Sequence, residues 1–229
     1  DVRGHMVAFA TDSAGTHFLQ KLFDAASDHA IRATFREFDE SIPMLLTHKC
    51  GNWTLKKLVS VASAAELSSF IEDHILGNTT SLSYHVNSAR VLKSAMIQAR
   101  SLRQSMTSSG HGGGVPSPGV ARLVSASMSI LYELSSDLGR AMCHENATHI
   151  FQRAFMVLDT DHSRRAVVEK IVCLDMHRLG KHTFGSRALQ CVLTECASGK
   201  TDNSHCHGQG NNGGQGKRHA GSIQNNTKA

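Results

Sequence analysis

A short window returns along this chain at a nearly fixed interval, and that recurrence limits the possible folds more than any other feature. The window reads S-A-G-T-H-F-L-Q-K-L at 13–22, K-C-G-N-W-T-L-K-K-L at 49–58 and H-V-N-S-A-R-V-L-K-S-A at 85–95. It returns as H-E-N-A-T-H-I-F-Q-R-A at 144–154 and H-T-F-G-S-R-A-L-Q-C-V at 182–192. Gly15, Gly51, Ser88, Ala147 and Gly185 then fall in register, with separations of 36, 37, 59 and 38. The long interval contains Ser105 to Gly119, S-M-T-S-S-G-H-G-G-G-V-P-S-P-G, so one insertion accounts for the single break. A period in this range marks a stack of supersecondary units, each burying its apolar face on its neighbours.

The unit is helical. In Thr16 to Ala26, the residues Phe18, Leu19, Leu22 and Phe23 repeat at helical spacing, as do Leu67, Phe70 and Ile71, and Val167, Val168, Ile171 and Val172. Ser27-Asp28 and Asp161-His162-Ser163 are candidate helix starts. An apolar run precedes each of several windows (Val7-Ala8-Phe9, Met44-Leu45-Leu46, Ala141-Met142), and a third helix follows (Ile31 to Phe38, Leu67 to Ile75, Val167 to Leu174). Aromatic residues make up 5% of the chain and prolines number three, which argues against a β-sandwich. The expectation is an all-α solenoid of about five three-helix repeats.

The domain plan follows. Residues 1–104 hold repeats one to three (part), and 105–119 form a disordered Ser/Gly/Pro loop insertion. Residues 120–200 hold the end of repeat three with repeats four and five, and 201–229 form a disordered Gly/Asn/Gln/His-rich tail. The formal charge is +5, from 24 basic and 19 acidic residues, with no block of five like charges. Nucleic acid, if it is the partner, must therefore be met by a site and not by a polybasic arm. Cys50, Cys143, Cys173 and Cys191 sit in apolar segments and are expected to be small buried hydrophobes in a reducing compartment. No run of 18 apolar residues predicts a membrane span. The chain opens at Asp1-Val2-Arg3 and is expected to be a processed product or a fragment.

On the middle helix of each unit, residues i and i+4 share a face and i+1 lies beside them. Five trios result: Thr16, His17 and Gln20; Asn52, Trp53 and Lys56; Ala89, Arg90 and Lys93; Thr148, His149 and Gln152; Ser186, Arg187 and Gln190. Two polar groups one turn apart can bracket the edge of a splayed base. The flat side chain between them offers a stacking surface, worth roughly 1–3 kcal/mol per base. The first and fourth trios are identical. The third lacks an edge reader at Ala89.

With its small residue followed by x-x-x-x-Q, the window resembles the Pumilio (PUF) RNA-binding repeat, over about residues 1–200. G-T-H-F-L-Q-K-L and F-G-S-R-A-L-Q match well, G-N-W-T-L-K-K-L and A-T-H-I-F-Q-R-A fairly, and S-A-R-V-L-K-S-A poorly. The resemblance implies a right-handed crescent whose concave face holds single-stranded RNA antiparallel to the protein, one base per repeat. It implies adenine reading by the Ser186 trio and its Thr/Gln relatives, uracil reading by Asn52, and a short adenine/uracil-leaning site in an untranslated region of mRNA. It further implies cytoplasmic post-transcriptional regulation, regulatory proteins on the convex face and no cofactor. A protein-binding solenoid scaffold and a ribosome-assembly RNA-binding factor are the alternatives.

Catalytic look-alikes fail on spacing. His144 and His149 are i, i+5 and diverge by about 140° on a helix, unlike the i, i+4 pair of a zinc protease. Gly199-Lys200-Thr201 lacks the glycine six residues before the lysine, where Thr194 stands. His111-Gly112-Gly113-Gly114 has no G-x-S-x-G partner. No enzyme and no metal site is expected, the Cys196, His205, Cys206 and His207 group included.

Overall fold

The computed structural model describes residues 4–108, 117–158 and 160–198. Repeat one consists of α1 (Met6–Thr11), α2 (Ser13–Asp24) and α3 (Asp28–Phe38). Repeat two consists of α4 (Ile42–Thr47), α5 (Gly51–Val61) and α6 (Ala64–His74), entered through a short 3-10 turn at Asp39–Ser41. Repeat three has α7 (Thr79–Tyr84), α8 (Val86–Ser108) and α9 (Pro118–Leu134), and a second 3-10 turn, Ser135–Asp137, leads out of it. Repeat four has α10 (Leu138–Cys143), α11 (Ala147–Val157) and α12 (Asp161–Val172), and repeat five has α13 (Met176–Lys181) and α14 (Thr183–Ser198). No strand occurs among the described residues. The chain is the all-α solenoid of about five three-helix repeats that its period predicts, in the right-handed Pumilio-type crescent that the resemblance implies.

Within a repeat the short first helix crosses the start of the middle helix, and the small residue of the window is the crossing point. A Cβ on Gly15 would sit 2.3 Å from the Phe9 carbonyl oxygen, and one on Gly185 would sit 2.6 Å from that of Leu179. Repeat three carries Ser88 there instead, and its hydroxyl donates to the Leu82 carbonyl at 2.7 Å, turning the close approach into a hydrogen bond. The register of the windows thus records where two backbones touch.

Between repeats, α2, α5, α8, α11 and α14 pack in sequence along the concave side. One continuous apolar cluster runs from Met6 to Val192. Third helices are joined across repeats by ion pairs, Arg32–Glu66 and Arg122–Glu72. Side-chain caps fix their starts: Ser27 accepts from the Ala30 amide and Thr160 from that of Ser163.

Three expectations are corrected. The 105–119 segment is not a loop throughout. Residues 105–108 continue α8, and Pro118 and Gly119 open α9; 109–116 lie outside the described residues. Helix absorbs much of the insertion, with 23 residues in α8 against 11 in α5 and α11, and 17 in α9 against 11 in α3 and α6. The stretch 94–104 is rich in Ala, Met, Gln, Arg and Leu, which favour helix. Arg103 also places its guanidinium on the carbonyls of Met156, Val157 and Leu158, capping the C-terminal end of α11.

Second, the four apolar residues of α2 do not share one buried face. Leu19 and Phe23 are buried, whereas Phe18 and Leu22 are exposed, because no described element packs behind repeat one. Val172 is likewise exposed at the end of α12. Third, Cys173 is exposed and Cys50, Cys143 and Cys191 are only partly covered; all four are free thiols. Residues 199–229, with the expected tail, lie outside the described residues.

Candidate nucleic-acid interface

Each middle helix presents its trio near its own N-terminus, where a recurring cap sets the helix start. His48 Nδ1 accepts from the amides of Cys50 and Gly51 at 3.2 and 3.1 Å. His144 Nδ1 does the same for Asn146 and Ala147, and His182 Nδ1 for Phe184 and Gly185. In repeat one the carboxylate of Asp12 takes this role, accepting from Gly15 at 2.7 Å. The capping residue stands three before the small residue each time, a spacing that the sequence carries outside the trios. His144 Nδ1 is thereby engaged by the backbone. Among the described residues no three His, Cys, Asp or Glu side chains form a metal-binding group.

The helices bring the five trios into one row, but not all members face solvent. Four of the five first positions, Thr16, Asn52, Ala89 and Thr148, are buried, and only Ser186 is half-exposed. Thr16 donates to the Ala10 carbonyl at 3.0 Å and receives the Thr54 hydroxyl at 3.3 Å. The Asn52 amide donates to the carbonyls of His48 and Lys49, while its Oδ1 is buried with no partner. Thr148 Oγ1 accepts from Gln152 Nε2 at 3.2 Å, and so orients the third member of its own trio. The expectation of a solvent-facing edge reader at Thr16, Asn52 and Thr148 is therefore corrected. Sharing a face with i+4 places a residue on the correct side of its helix, but the repeat's own first helix and a neighbouring repeat roof the first turn.

The second and third positions form the accessible surface. His17, Trp53, Arg90 and Arg187 are exposed and His149 is half-buried; Lys56 and Gln190 are exposed, and Gln20, Lys93 and Gln152 are half-exposed. Trp53 carries two cations over its ring, Lys56 Nζ at 4.8 Å and the Arg90 guanidinium at 5.3 Å from the centroid. Exposed contacts of this kind are worth about 0.5–1 kcal/mol each. Around His149 the surroundings are also positive. Burial first, and then Lys93, Arg153 and Arg187, hold its imidazole below the ordinary histidine range, which favours the neutral ring. Lys56, Arg90, Lys93 and Arg187 form no ion pair with a carboxylate among the described residues, whereas Lys57 pairs with Asp24 and Arg100 and Arg164 share Glu195. Next to Gln190, burial and then Glu195 push the Cys191 thiol up to about 11, which leaves it protonated and unreactive.

The Pumilio-family RNA binding repeat matches residues 5–37 and 175–200, the first repeat and most of the fifth. The whole fold also matches solved solenoids of that kind. The chain has the Pumilio-repeat fold and carries two stretches that match the family's repeat. Its likeness to the Puf3 RNA binding domain, solved with a Cox17 RNA 3′ UTR recognition sequence, has a TM-score of 0.65 at 18% identity, covering 87% of this chain and 49% of the other. For PUF-8, solved with PBE-RNA, the values are 0.66, 18%, 88% and 52%. For the RNA-binding domain of yeast Puf5p, bound to MFA2 RNA, they are 0.64, 15%, 88% and 52%. The Pumilio-type chain thus spans about half the length of these structures, and at such identity the likeness is one of fold. No curated protein matches it by sequence. No helix among the described residues is long and apolar enough to cross a membrane.

Proposed function

We propose that the chain binds single-stranded RNA along the row of middle helices. One observation carries this reading: five stacking-capable side chains, His17, Trp53, Arg90, His149 and Arg187, stand at equivalent positions with carboxylate-free cations between them. Flat groups at repeat spacing suit successive bases, and Lys56, Arg90, Lys93 and Arg187 suit the phosphates. The likeness to folds solved with RNA supports it.

In this proposal the third positions meet base edges directly, and the first positions act from beneath. Gln20, Gln152 and Gln190 favour adenine, with Gln152 pre-set by Thr148 and Ser186 assisting Gln190. The uracil preference of repeat two rests on the resemblance of Asn52 to the family's reader, and with Asn52 buried it acts through the exposed Trp53 and Lys56 above it. Ala89 specifies nothing, so its repeat holds the strand through Arg90 and Lys93. A base stacking on Trp53 must also displace one of the two cations above the ring. The site is a short adenine/uracil-leaning stretch of an mRNA untranslated region, and binding acts by occupancy on translation, decay or location in the cytoplasm, without catalysis.

A second reading has its own observation. Met128, Leu131, Leu138 and Val167 line an apolar groove of about 230 Å³ on the third-helix side, with the exposed ring of Tyr132 at its edge. That surface suits a regulatory protein on the convex face. Selection from a randomised single-stranded RNA pool at two salt concentrations tests the main proposal. An enriched adenine/uracil motif, weakened by salt and lost on Gln190→Ala, is expected. A G-rich motif, or retention without any motif, overturns the base reading, and no retention at low salt overturns RNA binding.

A further inference from the structure

The extension of α8 reaches further along the stack than a repeat ordinarily does. α5 and α11 end at Val61 and Val157, ten residues after Gly51 and Ala147. Arg100 and Arg103 lie twelve and fifteen residues after Ser88, on a stretch of α8 that those two helices lack. Arg103 grips the end of α11 in repeat four through its carbonyls. Arg100 goes past it. One guanidinium nitrogen donates to Met156 Sδ of repeat four at 2.8 Å, and another to Glu195 Oε1 of repeat five at 3.3 Å. From repeat four, Arg164 donates to the Glu195 carbonyl at 3.1 Å and to the Leu158 carbonyl at 3.0 Å, and stands 3.7 Å from Glu195 Oε2. The Glu195 side chain is 13% exposed and that of Arg164 11%, so a carboxylate held between two guanidiniums is largely withdrawn from water. In that setting a lost partner leaves a charge uncompensated.

Units of a stacked solenoid ordinarily touch only their neighbours. Repeats one to three follow that rule. Lys57 of repeat two meets Asp24 of repeat one, and Ser94 and Gln98 of repeat three donate to the Lys56 and Ala62 carbonyls of repeat two. The Arg100–Glu195 pair instead joins repeats three and five across α11. It lies towards the far ends of the middle helices from the trios, about 12–15 Å along the axis from Arg187 and Arg90. Over that length a change of about 10° between two helices moves a trio by about 2–3 Å, enough to take a side chain out of hydrogen-bond range. We propose that Arg100 and Glu195 are positioning residues for RNA: their ion pair fixes the fan of α8, α11 and α14, and thereby the spacing at which the third, fourth and fifth trios meet successive nucleotides. This role rests on the RNA-binding reading of the trio row, and adds to it the residues that hold its register. Neither residue belongs to a trio.

The test uses the full 229-residue chain as wild type, Arg100→Gln and Glu195→Gln, with circular dichroism verifying the fold of each. One arm needs no RNA. Hydrogen exchange read by mass spectrometry is expected to quicken around residues 98–104 of repeat three in Glu195→Gln, two repeats from the change; unaltered exchange there overturns the brace. The second arm uses a synthetic 5′-A-A-C-U-A-3′ element within oligocytidine, the order the trios imply from repeat five to repeat one. A second oligonucleotide carries one extra cytidine between the two leading adenosines, which face repeats five and four. A third carries it between the uridine and the last adenosine, which face repeats two and one. By fluorescence anisotropy the wild type is expected to bind the uninterrupted element several-fold more tightly than either insertion. Both variants are expected to lose most of the preference against the first insertion and to keep that against the second. A merely structural role would weaken all three RNAs alike and leave their ratios unmoved, which overturns the proposal. So does a wild type that binds the uninterrupted element and the first insertion equally. A wild type that binds none of them at low salt overturns the RNA reading, and the positioning role with it, while the exchange arm still decides the brace.

Discussion

Repeats two and four solve the same problem with different residues. Both start their middle helix on a histidine cap, His48 or His144, and both bury the first trio position, Asn52 or Thr148. They diverge at the stacking side chain. Repeat two offers an exposed indole under two cations. Repeat four offers a half-buried imidazole that burial and neighbouring cations keep neutral. A positive environment therefore has opposite consequences: it strengthens the face of a ring that cannot titrate and suppresses the charge of one that can. The larger and more exposed platform is Trp53, so the interface energy is expected to be unequal between the two repeats.

The largest expected effect comes from removing that platform. Trp53→Ala should cost RNA affinity by roughly 1–3 kcal/mol, about 5- to 150-fold, as read by fluorescence anisotropy. Trp53→Phe should retain much of it, since a flat ring remains. Equal losses for Trp53→Ala and His149→Ala would break the comparison. So would a Trp53→Ala variant that binds as the wild type does.

Next in size is the crossing point beneath each trio. Gly51 has Leu45 Cδ2 within 2.7 Å of where a Cβ would stand, and the Leu45 backbone at 3.0 Å. Gly51→Ala should destabilise the fold by about 1–3 kcal/mol through overpacking. In repeat four Ala147 already occupies this place, so Ala147→Gly should cost only about 0.5–1 kcal/mol, the penalty of a helical glycine. Urea unfolding of both variants checks the contrast, and a harmless Gly51→Ala would show that the two crossings are equally roomy.

These contrasts bear on what the sequence could reveal. The period, the single insertion and the register of small residues were legible because they record backbone contacts repeated five times. The row of stacking residues was legible because i+1 beside a shared face is a property of any helix. Burial at the first positions was not, since the roof over Thr16 or Asn52 is built by a different helix. Nor was the split of α2 into a covered pair, Leu19 and Phe23, and an uncovered pair, Phe18 and Leu22. Helical spacing names the apolar residues, but only the presence or absence of a neighbour decides which of them are buried. The helical ends of the insertion were missed for a related reason: Ser, Gly and Pro dominate the composition of 105–119, while the residues before it carry good helix formers and Pro118 is suited to a helix start.

The histidine caps give a smaller and sharper test. His144→Ala should cost about 1 kcal/mol by releasing the amides of Asn146 and Ala147. His85 holds the equivalent place in repeat three but makes no such bond, because Ser88 there secures the crossing directly to the Leu82 carbonyl. His85→Ala should therefore cost less in the same urea experiment. If the two losses are equal, the capping bond contributes nothing beyond the side chain's packing.

The smallest effect concerns charge alone. The folded His149 has its pKa lowered, so the native state takes up its proton later than the unfolded chain does. The stability tied to its neutral form is present above the unfolded value of about 6.5 and is lost as pH falls through the folded one. An NMR titration should accordingly place the His149 midpoint below that of an unfolded histidine. Burial is the first cause and should survive any surface change, whereas Lys93 is the next. Lys93→Gln removes a positive neighbour, stabilises the imidazolium and should move the midpoint upward without restoring it fully. A downward shift would contradict the sign of the interaction, and a full return would transfer the main cause from burial to Lys93. In the second case the neutral ring of repeat four would be the work of one neighbouring cation and not of its burial.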